Sequence, residues 1–199
     1  GSERSQISMR AVAAGLAVVG LAAAAGIAYP LARAAMRKGP SEYGSWSMCL
    51  GTAWILVGVA VVAQHAWTTG TGEQLRAANL PWLPIIGAGG LGQVFIGALT
   101  YLMPVVIGGG PRAVRVGVGA LEAAAPMREA SRNAALVLLA AATASQAPAA
   151  APLATACWAV VLATYLADIV LMARAGTAQA RARTAPPSPS PSNTGGPRG

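Results

Sequence analysis

The residues that could do chemistry in this chain are few, and most of them lie in or beside apolar sequence. Asp168, in TYLADIVLMAR, is the only acid inside an apolar stretch of span length. A carboxylate at membrane depth is costly, which makes it a functional candidate. It also lies six residues before Arg174, so the competing reading is an interfacial acid that snorkels or pairs with Arg112 or Arg115. His65, in VVAQHAW, is the only histidine. It is a candidate haem or copper ligand, but one histidine needs partners from elsewhere, and an interfacial histidine beside Trp67 is the plainer reading. Met48 and Cys49 offer soft sulfur ligands to copper(I), although methionine and cysteine in membranes are more often packing residues.

Gln93 and Tyr101 complete the polar candidates. With Gly90, Gly97 and Pro104 they recur at helical spacing and would form one small, polar face for close helix contact. Gly90 and Gly97 are the expected packing positions, and Pro104 should kink the helix. Cys49 and Cys157 are assigned to opposite ends of their spans, too far apart for a disulfide. The run GAGGLG (Gly87–Gly92) matches a dinucleotide-loop pattern, but it lies in an apolar stretch with no preceding strand and no ribose-binding acid. Gly108-Gly109-Gly110-Pro111 lacks the Lys-Ser/Thr of a phosphate loop and reads as a helix stop. No triad, paired carboxylate or zinc motif appears, so no catalytic residue is assigned.

These residues must be positioned by membrane helices. Of 199 residues, 55% are hydrophobic and 10% charged, with a mean hydropathy of +0.54. A soluble domain carries about 25% charged residues, and a single core could not hide this much apolar surface. The expected fold is all-α, a polytopic transmembrane bundle of about five spans, at 11–32, 46–67, 82–108, 134–147 and 153–173. Trp46 and Trp67 would anchor the second span at its two interfaces, and Tyr29 and Pro30 close the first. Residues 1–10 read as an exposed N-terminal segment and 11–175 as the membrane domain. Residues 176–199, ending PPSPSPSNTGGPRG, read as a disordered Pro/Ser-rich tail or linker. The 112–122 segment could lie on the membrane surface as a short basic helix.

Charge sets the expected orientation. If the spans alternate, eleven of the fourteen basic residues fall in 33–45, 109–133 and the segment from Arg174 onward. The positive-inside rule makes that side cytoplasmic and the N-terminus external. The net charge of +8 therefore reads as arginine flanking spans, with the lipid bilayer and neighbouring helices as partners and no nucleic acid. An external N-terminus without a signal peptide, together with a linker-like tail, suggests a piece of a longer protein. The Ala-, Gly- and Arg-rich composition suggests a GC-rich bacterium, hence its plasma membrane.

The run GLGQVFIGALTYLMPVVIGGGPRAVR (Gly90–Arg115) resembles part of a membrane domain in multicopper-oxidase or copper-nitrite-reductase-like proteins of high-GC bacteria. The following arginine-rich segment, Asn133, the two further apolar stretches and the Pro/Ser linker fit the same arrangement. The resemblance covers about residues 45–175 and implies the C-terminal part of a domain that anchors copper-binding modules or passes electrons to them. Copper or haem would then belong to the full-length protein. Two other functions stand beside it: a structural membrane scaffold, and a small transporter fragment with Gln93, Tyr101 and Asp168 lining a polar path.

Overall fold

The computed structural model describes residues 2–38 and 43–184. The stretch 186–199, expected to be disordered, lies outside the described residues. Those that are described form an all-α bundle, with no strand among them. Helix α1 (Ser2–Lys38) packs along α2 (Tyr43–Thr68). Short α3 (Gly72–Asn79) leads through a 3-10 turn (Leu80–Trp82) into α4 (Leu83–Ile86), a π-helical turn (Gly87–Gly92) and α5 (Gln93–Ile107). Then come α6 (Gly110–Leu121), α7 (Ala125–Ser145) and α8 (Ala151–Thr184), with α8 packed against α5, α6 and α7.

Three helical stretches are long and apolar enough to cross a membrane: Tyr43–Thr68, Gly72–Ile107 and Pro148–Thr184. Of the other two expected spans, the side chains of the first are covered only in part by the described residues, and the fourth falls short of that standard. For α1 the apolar stretch found among the described residues is Ala13–Ala23, part of a run from 11 to 32 that carries no charge. Helix α7 brings Arg128, Glu129 and Arg132 into its first two turns, which lowers its average. Three boundaries also differ from expectation. Helix α1 runs through Pro30 to Lys38, since a proline within good helix formers forfeits one hydrogen bond without ending the helix. It also takes in 2–10, expected to lie outside the domain. Helix α8 continues to Thr184, so 176–184, expected in the tail, is helical and packs on α6.

Surface and interior are inverted relative to a soluble protein. Val106 is 81% exposed, and Phe95, Leu162 and Ile169 are also exposed, while Arg132 and Gln93 are fully buried. Helices α2 and α5 approach through glycine. A Cβ at Gly97 would lie 2.7 Å from the Gly44 carbonyl oxygen, and one at Gly90 would lie 2.8 Å from Ile55 Cγ1. Gly44, Gly51 and Gly58 recur every seven residues on the facing side of α2, and all are buried. Three successive glycines with positive φ, Gly108, Gly109 and Gly110, reverse the chain between α5 and α6, a conformation that L side chains rarely adopt.

Candidate functional site

The chemistry of the molecule gathers where the N-terminal turns of α2 and α7 meet the middle of α8. Two facts of sequence place it there. Arg128, Glu129 and Arg132 sit at i, i+1 and i+4 of α7, so the arginines share a face. Asp168 lies on the α8 face that packs against it, four residues from Thr164 and seven from Val161, both buried.

Arg132 forms an ion pair and hydrogen bond with Asp168 Oδ2. Its Nε donates to Thr164 Oγ1 at 3.2 Å, and its Nη2 donates to the Tyr43 hydroxyl at 3.2 Å. Tyr43 in turn donates to Asp168 Oδ1 at 2.7 Å. Arg128 Nε lies 3.2 Å from the same oxygen, and its Nη2 donates to the Leu121 carbonyl at 2.8 Å. Both guanidinium groups also stack on rings: Arg128 is 4.6 Å from the centroid of Tyr43 and Arg132 is 4.2 Å from that of Tyr165. Glu129 completes the set, with Oε1 3.6 Å from Arg132 Nη1. Two arginines and two carboxylates leave no net charge. That balance is what lets four ionisable groups stay in a low-dielectric interior.

A neutral network continues from this cluster toward the middle of the bundle. Asn133 Nδ2 donates to Glu129 Oε2 at 3.2 Å, while its Oδ1 accepts from Gln93 Nε2 at 3.1 Å and Trp54 Nε1 at 2.9 Å. Ser47 donates to the Gln93 carbonyl at 3.0 Å. Beyond Trp54 the interior is apolar, formed by Ile85, Leu136, Leu139, Cys157 and Val161. The π-helical turn borders the junction: Tyr165 donates to the Ala88 carbonyl, and the Trp54 ring covers Gly89.

No known protein family, curated protein or solved structure matches this chain. Its own geometry therefore carries the functional argument.

The candidates read from sequence divide accordingly. Asp168 and Gln93 enter the buried network, but the arginines facing Asp168 are Arg128 and Arg132 of α7, where the sequence had suggested Arg112 or Arg115. Tyr101 does not share the face of Gln93. It is 63% exposed, because each i→i+4 step turns about 40° past a full helical turn, and two steps from Gln93 carry it off the contact. Gly90 and Gly97 lie in the α2–α5 contact, and Pro104 is buried within α5. His65 Nδ1 shares a hydrogen bond with Asn79 Oδ1 at 3.0 Å. Met48 and Cys49 lie at the other end of α2, ~24 Å along the helix from His65, with Met48 packed on Gly97. These three do not fit one copper or haem site, and among the described residues no group of three or more His, Cys, Asp and Glu gathers. Cys49 and Cys157 are free thiols.

Sequence reasoning missed Tyr43, Arg128, Glu129, Arg132 and Gln179. Gln179 is buried on α8, and its Nε2 donates to the Pro104 and Gly108 carbonyls at 2.7 and 2.9 Å. It thereby caps the C-terminus of α5. The available signal was the i, i+4 spacing of Arg128 and Arg132 opposite a lone Asp168.

Proposed function

We propose that this chain is a membrane-embedded anchoring module that crosses the bilayer five times, with its arginine-rich end in the cytoplasm of a bacterium. The observation that carries this reading is the inverted distribution of polarity, with a neutral ionic cluster inside and large aliphatic side chains outside. Two further features support α7 as a crossing helix. Its 21 residues span ~31 Å, close to the hydrocarbon thickness of about 30 Å. Its C-terminal residues Ala142, Thr143 and Ala144 share a cavity with His65 and Trp82, at the opposite end of the bundle from Tyr43. Likewise Arg10 of α1 reaches the Trp67 ring at that far end.

Anchoring is favoured over transport because the polar network stops at Trp54 and meets an apolar layer, leaving no continuous polar path among the described residues. What the module anchors is inferred from the resemblance of Gly90–Arg115: a copper-dependent oxidoreductase whose copper ligands lie elsewhere in the protein.

Single-cysteine labelling tests the crossings. In a Cys49→Ala/Cys157→Ala background, Gly70→Cys and Ala147→Cys should react with an impermeant maleimide from outside, and Ala123→Cys only after the membrane is opened. Labelling of positions 123 and 147 from one side would remove α7 as a span. Metal analysis of the protein purified from its native membrane tests the association: stoichiometric copper is expected, and a copper-free, oxidase-inactive preparation would retire it.

A further inference from the structure

The end of the bundle away from the ionic cluster holds a cavity of ≈ 660 Å³, bounded by the ends of α2, α3 and α7 and the start of α8. Half of its sixteen lining residues are alanine, and none is charged. The short side chains leave the room, and Trp82 supplies a flat ring. Polar side chains come from two elements: Gln64 and His65 on α2, and Thr143 and Gln146 at the end of α7.

The hydrogen bonds around His65 decide its chemistry. Asn79 Nδ2 donates to the Leu75 carbonyl at 2.9 Å, so the atom turned to the ring is Asn79 Oδ1, which can only accept. His65 Nδ1 therefore carries the proton in their 3.0 Å contact, and Nε2 of the neutral ring keeps a lone pair. No described residue donates to that lone pair. The ring is held on a fixed backbone, since Thr69 donates to the His65 carbonyl through its amide at 2.8 Å and its hydroxyl at 2.7 Å. Thr143 differs from other helical threonines. Thr52, Thr100 and Thr155 each donate to the carbonyl four residues back, whereas the Thr143 hydroxyl makes no such bond among the described residues.

This lining selects its ligand. An ionic headgroup would find no counter-charge, and a bare transition ion would find one imidazole without further strong ligands. A flat, uncharged molecule with two oxygens, one of them an O–H donor, uses everything present. Size agrees, since about 150 Å³ holds a single benzene ring, so a fused two-ring headgroup fits with room for the start of a tail.

We infer that this cavity binds the headgroup of a membrane quinol, with one hydroxyl donated to His65 Nε2, the other oxygen on Thr143, and the ring beside Trp82. The inference rests on the membrane reading above, which sets this end of the bundle at the external headgroup level, within reach of a quinol dissolved in the bilayer. The oxidised quinone has no O–H for Nε2, so the reduced form should bind about tenfold more tightly, as expected for one acceptor left unmet.

His65 is the only histidine, so nitrogen NMR of protein isotope-labelled in histidine alone reports on this one ring. The test uses the full chain, purified on a histidine-free tag, in phosphatidylcholine nanodiscs without oxygen. Menadiol should give a saturable shift of the unprotonated Nε2 signal and leave Nδ1 protonated, and menadione should bind about tenfold more weakly. Thr143→Val should weaken menadiol binding by about three- to tenfold while leaving the unliganded His65 signals in place. Ala151→Trp, which fills the cavity from the α8 side, should abolish the shift. No shift, a shift that does not saturate, or one that survives in Ala151→Trp would overturn the inference and leave the membrane reading standing. Equal affinity for menadiol and menadione would overturn it as well, by removing the lone pair of Nε2 from recognition. A chain that enters no nanodisc would overturn both readings.

Discussion

At the scale of single residues the governing fact is charge balance. Arg128, Arg132, Glu129 and Asp168 are each at least nine-tenths buried, and each is tolerable only because the others are present. Replacing Asp168 by leucine leaves two arginines facing one carboxylate, and replacing Arg132 by methionine leaves one arginine facing two. Breaking a buried pair from one side costs about 3–5 kcal/mol, whereas replacing both partners by apolar groups of similar size is often neutral. Arg132→Met and Asp168→Leu should therefore each lower the unfolding free energy by about 3–5 kcal/mol. The double variant retains the Arg128–Glu129 balance and should fall within ~2 kcal/mol of the parent. Unfolding in mixed detergent micelles measures all three, and a double variant as unstable as the sum of the singles would remove the balance argument. Tyr43 belongs to the same set. Its hydroxyl donates to Asp168 and accepts from Arg132, so Tyr43→Phe should cost less, about 1–3 kcal/mol, through one unsatisfied group on each side.

At the scale of elements, close approach of α2 and α5 depends on which glycines face a backbone. A Cβ at Gly97 would meet the Gly44 oxygen at 2.7 Å and the Met48 nitrogen at 3.0 Å, and neither atom can move without shifting α2. A Cβ at Gly15 meets nothing within 4 Å. Gly97→Ala should thus destabilise the bundle by about 1–3 kcal/mol through overpacking. Gly15→Ala should stabilise it slightly, by up to about 1 kcal/mol, through helix propensity. Thermal unfolding of the two variants in one detergent separates the cases, and equal shifts would contradict the packing geometry. Much of this level was legible in the sequence. The apolar runs, the Gly90/Gly97 pair and the glycine stop at 108–110 all follow from local composition. Tyr101 was misplaced because four-residue steps drift around a helix. Arg128, Arg132 and Tyr43 were read as loop residues because hydropathy averages along the chain, whereas their charge and hydrogen-bonding capacity are satisfied across it, by α8. Gln179 was missed for a related reason: the arginines after Arg174 look like the end of a span, yet the helix continues for another two and a half turns to cap α5.

At the scale of the whole molecule, the proposed five-span topology would make the buried cluster a link between folding and threading. On the five-span reading, α7 would carry two arginines into its crossing segment, and an isolated arginine at membrane depth costs about 2.5–3.5 kcal/mol even by insertion scales. The entry of α7 would then be made favourable by Asp168, which comes later in the chain and lies on α8. The two helices should therefore enter as a pair, α7 being held in place by the carboxylate that α8 brings. Asp168→Asn keeps the size of the side chain but leaves Arg128 and Arg132 facing only Glu129. In the full chain, with Ala147→Cys as the reporter in the Cys49→Ala/Cys157→Ala background, external labelling should fall from nearly all molecules to a minority. Adding Arg132→Gln to Asp168→Asn should restore most of the labelling, because the remaining Arg128 and Glu129 again balance. Labelling that is unchanged by Asp168→Asn would mean that α7 crosses on the strength of its apolar half alone. In that case the ionic cluster would stabilise the finished bundle without determining how it is threaded through the membrane.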